Sequence, residues 1–251
     1  VDLTWQTLAV LALVALIAGF LDTLAGGGGL LTLPALLLAG VPPLQALGTN
    51  KLQGSFGTGM ATWQVIRRRR VRWDDARWPM LWAFLGSLAG AVAIQFVDPE
   101  PLRVLVPVVL AAIAAYFAFV PKAHEPPDRE RLSAAPYEAT VVPAIGAYDG
   151  AFGPGTGSLF ALSGVTLRAY PLPRATAVAK TLNFATNVAA LAVFAVAGQM
   201  VWAVGAVMIG GQLLGAYAAS HVLFKVPPVV LRVLIVVMSV GMLVRYLVGS
   251  Q

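Results

Sequence analysis

Gly19-Phe20-Leu21-Asp22, then Gly26-Gly27-Gly28-Gly29, then Thr49-Asn50-Lys51 decides how this chain is read, because the pattern occurs twice. The second copy runs Gly146-Ala147-Tyr148-Asp149, then Gly153-Pro154-Gly155-Thr156-Gly157, then Lys180, with Asn183 and Asn187 beyond it. Asp22 matches Asp149, Gly26 matches Gly153 and Gly28 matches Gly155 at an offset of 127 residues. After a two-residue insertion the offset is 129, and Lys51 matches Lys180, Trp73 matches Trp202 and Gly86 matches Gly215. Leu102-Arg103-Val104-Leu105 matches Leu231-Arg232-Val233-Leu234 at the same offset. Each copy sets an acid, a glycine knot and a lysine in apolar surroundings.

Working outward, hydrophobic residues make up 59% of the chain and charged residues 11%, and mean hydropathy is +0.80. Soluble domains are about one-quarter charged, so the composition points to a lipid-solvated protein. A bilayer crossing needs roughly 20 apolar residues. Residues 3–21, 78–97, 101–120, 199–223 and 229–249 qualify, and 174–197 qualifies with a lysine and two asparagines inside it. Residues 3–21 lack a basic leading region and read as a span rather than a secretory signal. With no Cys, disulfides, thiolate metal sites and cysteine nucleophiles are excluded. His124 and His221 are too few for a haem or multi-histidine metal centre, so no metal or cofactor is expected.

The expected fold is an all-α integral membrane protein of two repeats, 1–120 and 137–251, joined by a linker at 121–136. Each repeat has about five apolar pieces, at 3–22, 29–39, 43–66, 78–97 and 101–120, and at 137–150, 157–167, 173–197, 199–224 and 229–249. The second piece of each repeat is too short to cross and follows a glycine run directly. It reads as a re-entrant or broken helix, which survives in a membrane only against protein or a water-filled cavity.

Charge sorts by loop, so the net +6 is a topology signal rather than a nucleic-acid footprint. Arg67, Arg68, Arg69, Arg70, Arg72, Arg77, Lys122, Arg129, Arg131, Arg168, Arg174 and Lys225 lie in loops, 12 of the 17 basic residues. The loops at 39–44, 97–100 and 198–201 are neutral or acidic. Basic residues in short loops mark the cytoplasmic side. An odd number of crossings per repeat collects all the basic loops there, which makes the two repeats inverted in topology.

The matched residues suggest a chemistry. At helical rise, Lys51 and Lys180 lie roughly 10–12 Å beyond Pro43 and Pro173, near the middle of a core about 30 Å thick. An ionisable group at that depth is a functional candidate. The plainer reading is a pair of structural ion pairs, Lys51 with Asp22 and Lys180 with Asp149. A glycine turn opening a helix aims N–H groups and the positive dipole end at one point, which is an anion site. Two such turns occur, at Gly26, Gly27, Gly28 and Gly29 before Leu30 and at Gly153, Pro154, Gly155, Thr156 and Gly157 before Ser158, where Thr156 and Ser158 add hydroxyl donors and Gly155, Thr156, Gly157 and Ser158 are the binding candidates. Asn50, Gln53, Asn183 and Asn187 would complete the hydrogen bonds to a small oxyanion. Asp22 and Asp149 stand as proton-coupling candidates, with bracing of the helix breaks as the plainer alternative. Duplicated membrane halves with matched broken segments are the pattern of a secondary transporter. A passive anion channel is the rival reading. An intramembrane enzyme lacks a nucleophile–base constellation.

Phe20-Leu21-Asp22-Thr23-Leu24-Ala25-Gly26-Gly27-Gly28-Gly29-Leu30 and Ala46-Leu47-Gly48-Thr49-Asn50-Lys51-Leu52 resemble the first-repeat motif of the TauE/SafE family of sulfite and organosulfonate exporters. Tyr148-Asp149-Gly150-Ala151-Phe152-Gly153-Pro154-Gly155-Thr156-Gly157-Ser158, with Arg174-Ala175-Thr176 and Lys180-Thr181-Leu182-Asn183 following, resembles its second. The resemblance implies a bacterial or archaeal inner-membrane transporter of sulfur-containing anions such as sulfite, sulfoacetate or other sulfonates. Ala179 stands where the first repeat has Asn50, which makes the two half-sites chemically unequal.

Overall fold

The computed structural model describes residues 4–119 and 126–222, and every element among them is helical. The long helices are α1 (Trp5–Ala25), α3 (Pro43–Arg67), α4 (Trp73–Ile94) and α5 (Pro99–Phe119) in the first half. The second half has α9 (Leu172–Val196) and α10 (Trp202–Val222). Between them lie the short α2 (Gly29–Leu38), a single turn α6 (Ala134–Pro136), α7 (Val142–Ala151) and α8 (Thr156–Arg168), with a π-helical turn at Tyr137–Val141 leading into α7. Among the described residues, four helical stretches are long and apolar enough to cross a membrane: Trp5–Leu24, Trp73–Ile94, Leu172–Val196 and Trp202–Ala219. The expected piece at 229–249, together with His124, Lys225 and Arg232, lies outside the described residues.

The helix limits follow from local chemistry. Thr4 caps α1 by accepting from Thr7 N at 3.2 Å. Gly26 ends α1 in the left-handed region at φ 74°, donating its N–H to Asp22 O at 2.9 Å. A residue with a Cβ is strained in that conformation. Pro43 opens α3 and Pro173 lies in the first turn of α9, where a missing N–H costs nothing. The two short helices start at glycine turns, as expected.

Small residues set the packing. A methyl group added at Gly19 would run into the main-chain oxygen of Gln212, and one at Gly215 into that of Leu16. Likewise, a methyl at Gly146 would strike Ala83 O, and one at Gly86 would strike Pro143 O. The contacts obey the sequence repeat: Gly19 and Gly146 are matched, as are Gly215 and Gly86. Residue numbers rise together along α1 and α10 and along α4 and α7, so both pairs run parallel. Close backbone approach of this kind replaces the hydrophobic drive that lipid removes.

The matched helices α3 and α9 cross antiparallel. Thr62 Oγ1 donates to Lys180 O at 3.0 Å, Gly54 faces Asn187, and Gly48 faces Phe194 and Met200. At the same end, Val201 N donates to Thr49 Oγ1 at 3.0 Å. The bundle is apolar outside and polar within: Leu13, Leu85, Val104 and Leu214 are exposed, while Asn50, Lys51, Asp149, Lys180 and Asn183 are buried. Water would select the reverse. Composition, spans and this inversion of polarity make the chain a multi-pass membrane protein.

Candidate binding site between the glycine breaks

The two helix breaks are built apart in sequence and meet in space. A methyl at Gly26 would stand 3.2 Å from Gly157 Cα, and one at Gly29 would stand 3.3 Å from Pro154 Cα. Ser158 Oγ donates to Gly26 O across the junction. Gly153 at φ 94° and Gly155 at φ 80° make the second turn, as Gly26 makes the first. The start of α2 and the start of α8 therefore face one region, closed on its sides by α3 and α9.

Lys51 and Lys180 are each the ninth residue of an antiparallel helix, so they approach this region from opposite ends. Both are buried, and their partners correct the expected pairing. Lys51 Nζ lies 2.9 Å from Asp149 Oδ1, with both side chains 1% exposed. Lys180 Nζ donates to the main-chain oxygen of Asp22. Each lysine thus engages the acid of the other repeat. The offset between the repeats identifies equivalent positions, whereas the antiparallel crossing of α3 and α9 decides which positions touch. The two pairs are also unlike. Lys180 is bonded to the Asp22 main chain, while the Asp22 carboxylate is bonded within its own half: Oδ1 accepts from Gly27 N at 3.1 Å and Gly28 N at 3.2 Å.

A cavity of ≈ 30 Å³ opens between the breaks. Among the predicted residues, Gly27, Gly28, Gly29, Asn50, Gln53, Gly155, Thr156, Gly157, Asn183 and Asn187 line it, as does Asp22. Gly26 and Ser158 instead seal the two breaks together, and Lys51, Lys180 and Asp149 stand behind the lining. Direct lining by the lysines is therefore not what the structure has, because each ammonium is drawn to an acceptor on the neighbouring half.

Hydrogen bonds hold the lining. Asn50 Oδ1 accepts from Thr32 Oγ1 at 2.5 Å and Gln53 Nε2 at 2.9 Å, which leaves the Asn50 Nδ2 beside Gly29. Asn187 Nδ2 donates to Asn183 O at 2.7 Å. Four further residues line the cavity: Gly54, Thr58, Gly153 and Gln212. Gly54 and Thr58 match Asn183 and Asn187 at the 129 offset, so the repeat itself carried the signal for them. Gln212 had no such mark, since its match is Ala83; as a glutamine in an apolar span it reads from sequence either as lining a path or as bonding a neighbouring helix. An enclosed region with two helix N-termini, amide and hydroxyl donors and two cations behind it suits a small anion.

A family model described as "Sulfite exporter TauE/SafE" matches residues 11–246. The chain is 42% identical over 238 residues to a "Probable membrane transporter protein" of Haemophilus influenzae, covering 95% of this chain and 93% of that protein. It is 43% identical over 246 residues to "Probable membrane transporter protein ORF9" of Sinorhizobium sp, covering 98% and 94%. It is 41% identical over 244 residues to "Probable membrane transporter protein YfcA" of Escherichia coli K12, covering 97% and 91%. No solved structure matches.

Proposed function

The chain belongs to the sulfite exporter TauE/SafE family, and from that premise we propose that it is a secondary transporter for a small sulfur-containing anion. The family and its named relatives are membrane transporters, not enzymes. Sulfite, sulfoacetate or another organosulfonate is the proposed solute, moved across the cytoplasmic membrane by alternating access. The observation that carries the reading is the meeting of two helix N-termini from different halves on one polar cavity, with a buried lysine from each half behind it. A negative charge there is met by the positive ends of two helices, by amide and hydroxyl donors, and by the cations behind them.

Inverted topology of the repeats 1–120 and 137–251 completes the proposal. The antiparallel crossing of the matched helices α3 and α9 supports it, as does the sorting of basic loops. A two-fold relation of that kind gives the site two equivalent ways out, one toward each face. The cavity offers ≈ 30 Å³ between the two halves, and in the proposed cycle they part to admit a sulfonate.

Thermal-shift measurements on the purified protein with sulfite, sulfate, thiosulfate, sulfoacetate, taurine and matched carboxylates test the solute class. A ligand that binds only the folded state raises apparent stability by mass action. Stabilisation by sulfur oxyanions and not by carboxylates is expected. Stabilisation by none of the sulfur compounds, or equal response to carboxylates, overturns the assignment. Anion flux in proteoliposomes with exchange across the membrane supports a carrier, and flux without it supports a channel.

A further inference from the structure

We propose that the Asp22 carboxylate is an internal anion that occupies the first half-site and competes with the transported anion for its N–H donors. This rests on the reading of the cavity as an anion site. At the start of α2 the donors are already taken. Gly27 N and Gly28 N donate to Asp22 Oδ1 at 3.1 and 3.2 Å. Leu30 N and Leu31 N fold back onto Gly27 O and Gly28 O, each at 3.0 Å. The group in the anion position is a carboxylate of the chain itself, and Asp22 lines the cavity.

The second half-site is built differently, and one residue makes the difference. Pro154 stands where the first repeat has Gly27. Proline has no N–H, so the bond that Gly27 makes to Asp22 has no counterpart there. Asp149 turns to Lys51 instead, and its Oδ2 has no hydrogen-bond partner. Asp149 is sealed at 1% exposure and does not line the cavity. Asp149 is therefore a brace, and Asp22 is the carboxylate in the path of the ligand.

The surroundings of Asp22 allow its charge to be exchanged. From α9, Lys180 binds its main-chain oxygen rather than its carboxylate. From α3, the charge of Lys51 is committed to Asp149. The described residues that α2, α8 and α10 bring to the cavity are uncharged: Gly27, Gly28, Gly29, Thr156, Gly157 and Gln212. A proton from solvent on Asp22 converts the competing anion into a neutral acid that holds the N–H groups less strongly. The transported anion then takes Gly27 N–H and Gly28 N–H. When the anion leaves, Asp22 loses its proton and returns to them. In this cycle Asp22 carries the proton that accompanies the anion.

The test measures binding of methanesulfonate, sulfite and sulfate to the purified full chain by calorimetry. Methanesulfonate is the decisive probe, because it remains a monoanion throughout the pH range in which the protein is stable. Wild type should bind it more tightly as pH falls. Asp22→Asn, nearly isosteric and uncharged, should bind on the order of tenfold more tightly than wild type at the alkaline end, the worth of a charge-assisted contact. Its affinity should not change with pH. Asp22→Ala should behave likewise, while Asp149→Asn should keep the wild-type slope. A flat wild-type profile, or an Asp22→Asn profile with the wild-type slope, overturns the proposal while leaving the anion site intact. Flattening by Asp149→Asn with Asp22→Asn unchanged assigns the role to the other acid and also overturns it. Failure of all three anions to bind wild type or any variant removes the anion-site reading on which it rests.

Discussion

Lys51 and Lys180 are equivalent by sequence, yet their losses should differ in kind. Lys51 neutralises a carboxylate that is sealed from solvent and already has one oxygen without a partner. Removing that ammonium strands a buried charge, which costs about 3–5 kcal/mol. Lys51→Gln should therefore lower stability, and adding Asp149→Asn should restore most of it, as measured by thermal melting in detergent. Lys180→Gln leaves Asp22 its two N–H donors and should spare the fold. Its cost is expected in anion affinity, by more than tenfold for a charge-assisted contact worth about 1.5–3 kcal/mol. A double variant no more stable than Lys51→Gln, or Lys180→Gln with wild-type affinity, contradicts this division. At this scale the lining of the cavity was largely legible in the chain: ten of the fourteen candidate residues line it, with Asp22 beside them. The partner exchange was not, because a repeat offset states which residues are equivalent and carries no information on which helices touch. The contrast of Pro154 with Gly27 was visible as letters, but its meaning needed the bond from Gly27 N to Asp22.

Helices in this bundle are held by glycines whose Cβ position is filled by a neighbour's backbone. A side chain at Gly86 would strike Pro143 O and one at Gly215 would strike Leu16 O, and a carbonyl oxygen within a helix has little freedom to yield. Overpacking against backbone costs about 1–3 kcal/mol or more. Gly86→Val and Gly215→Val should each lower the melting temperature in detergent. Gly210→Val is the control on the same helix as Gly215, since nothing lies within 4 Å of its added methyl. Equal effects at all three positions would mean that helix propensity, not interhelical contact, governs the loss. The existence and order of the helices followed from apolar length, and the two breaks from glycine runs before pieces too short to cross. Boundaries moved by a few residues where composition is silent. Trp73–Met80, which is charged at its start, extends α4 into the basic loop because Asp74 and Asp75 suit the positive end of a helix. The approach of α2 to α8 could not be read from either segment, since it depends on Gly26 meeting Gly157 across 131 residues of chain.

For the whole molecule, contacts among the described residues bring the basic segments around Val71, Glu130 and Arg168 toward the start of α9. Val71 and Ala76 pack with Ala177 near the start of α9, and Arg168 binds Glu130 Oε2 at 2.5 Å and Leu132 O at 2.6 Å. The other end holds Gly48 against Met200, with Thr49 bonded to Val201. If the basic end is cytoplasmic, a cysteine at Arg129 should resist an impermeant thiol reagent in intact cells and react after permeabilisation. One at Gln199 should react from outside. The opposite pattern would invert the orientation. Native cysteines are absent, so pairs can also be placed to bind the halves together at either end. Val71→Cys with Ala177→Cys ties the basic end, and Thr49→Cys with Val201→Cys ties the other. The site lies between these ties, where the two halves meet. A carrier that opens to one side at a time needs both ends free for net transport. Either cross-link should therefore abolish solute flux in proteoliposomes, and reduction should restore it. Binding should survive each cross-link, through the face left untied. Undiminished flux with the cross-link formed at either end would mean that neither end has to part, which is the behaviour of a permanently open path and not of alternating access.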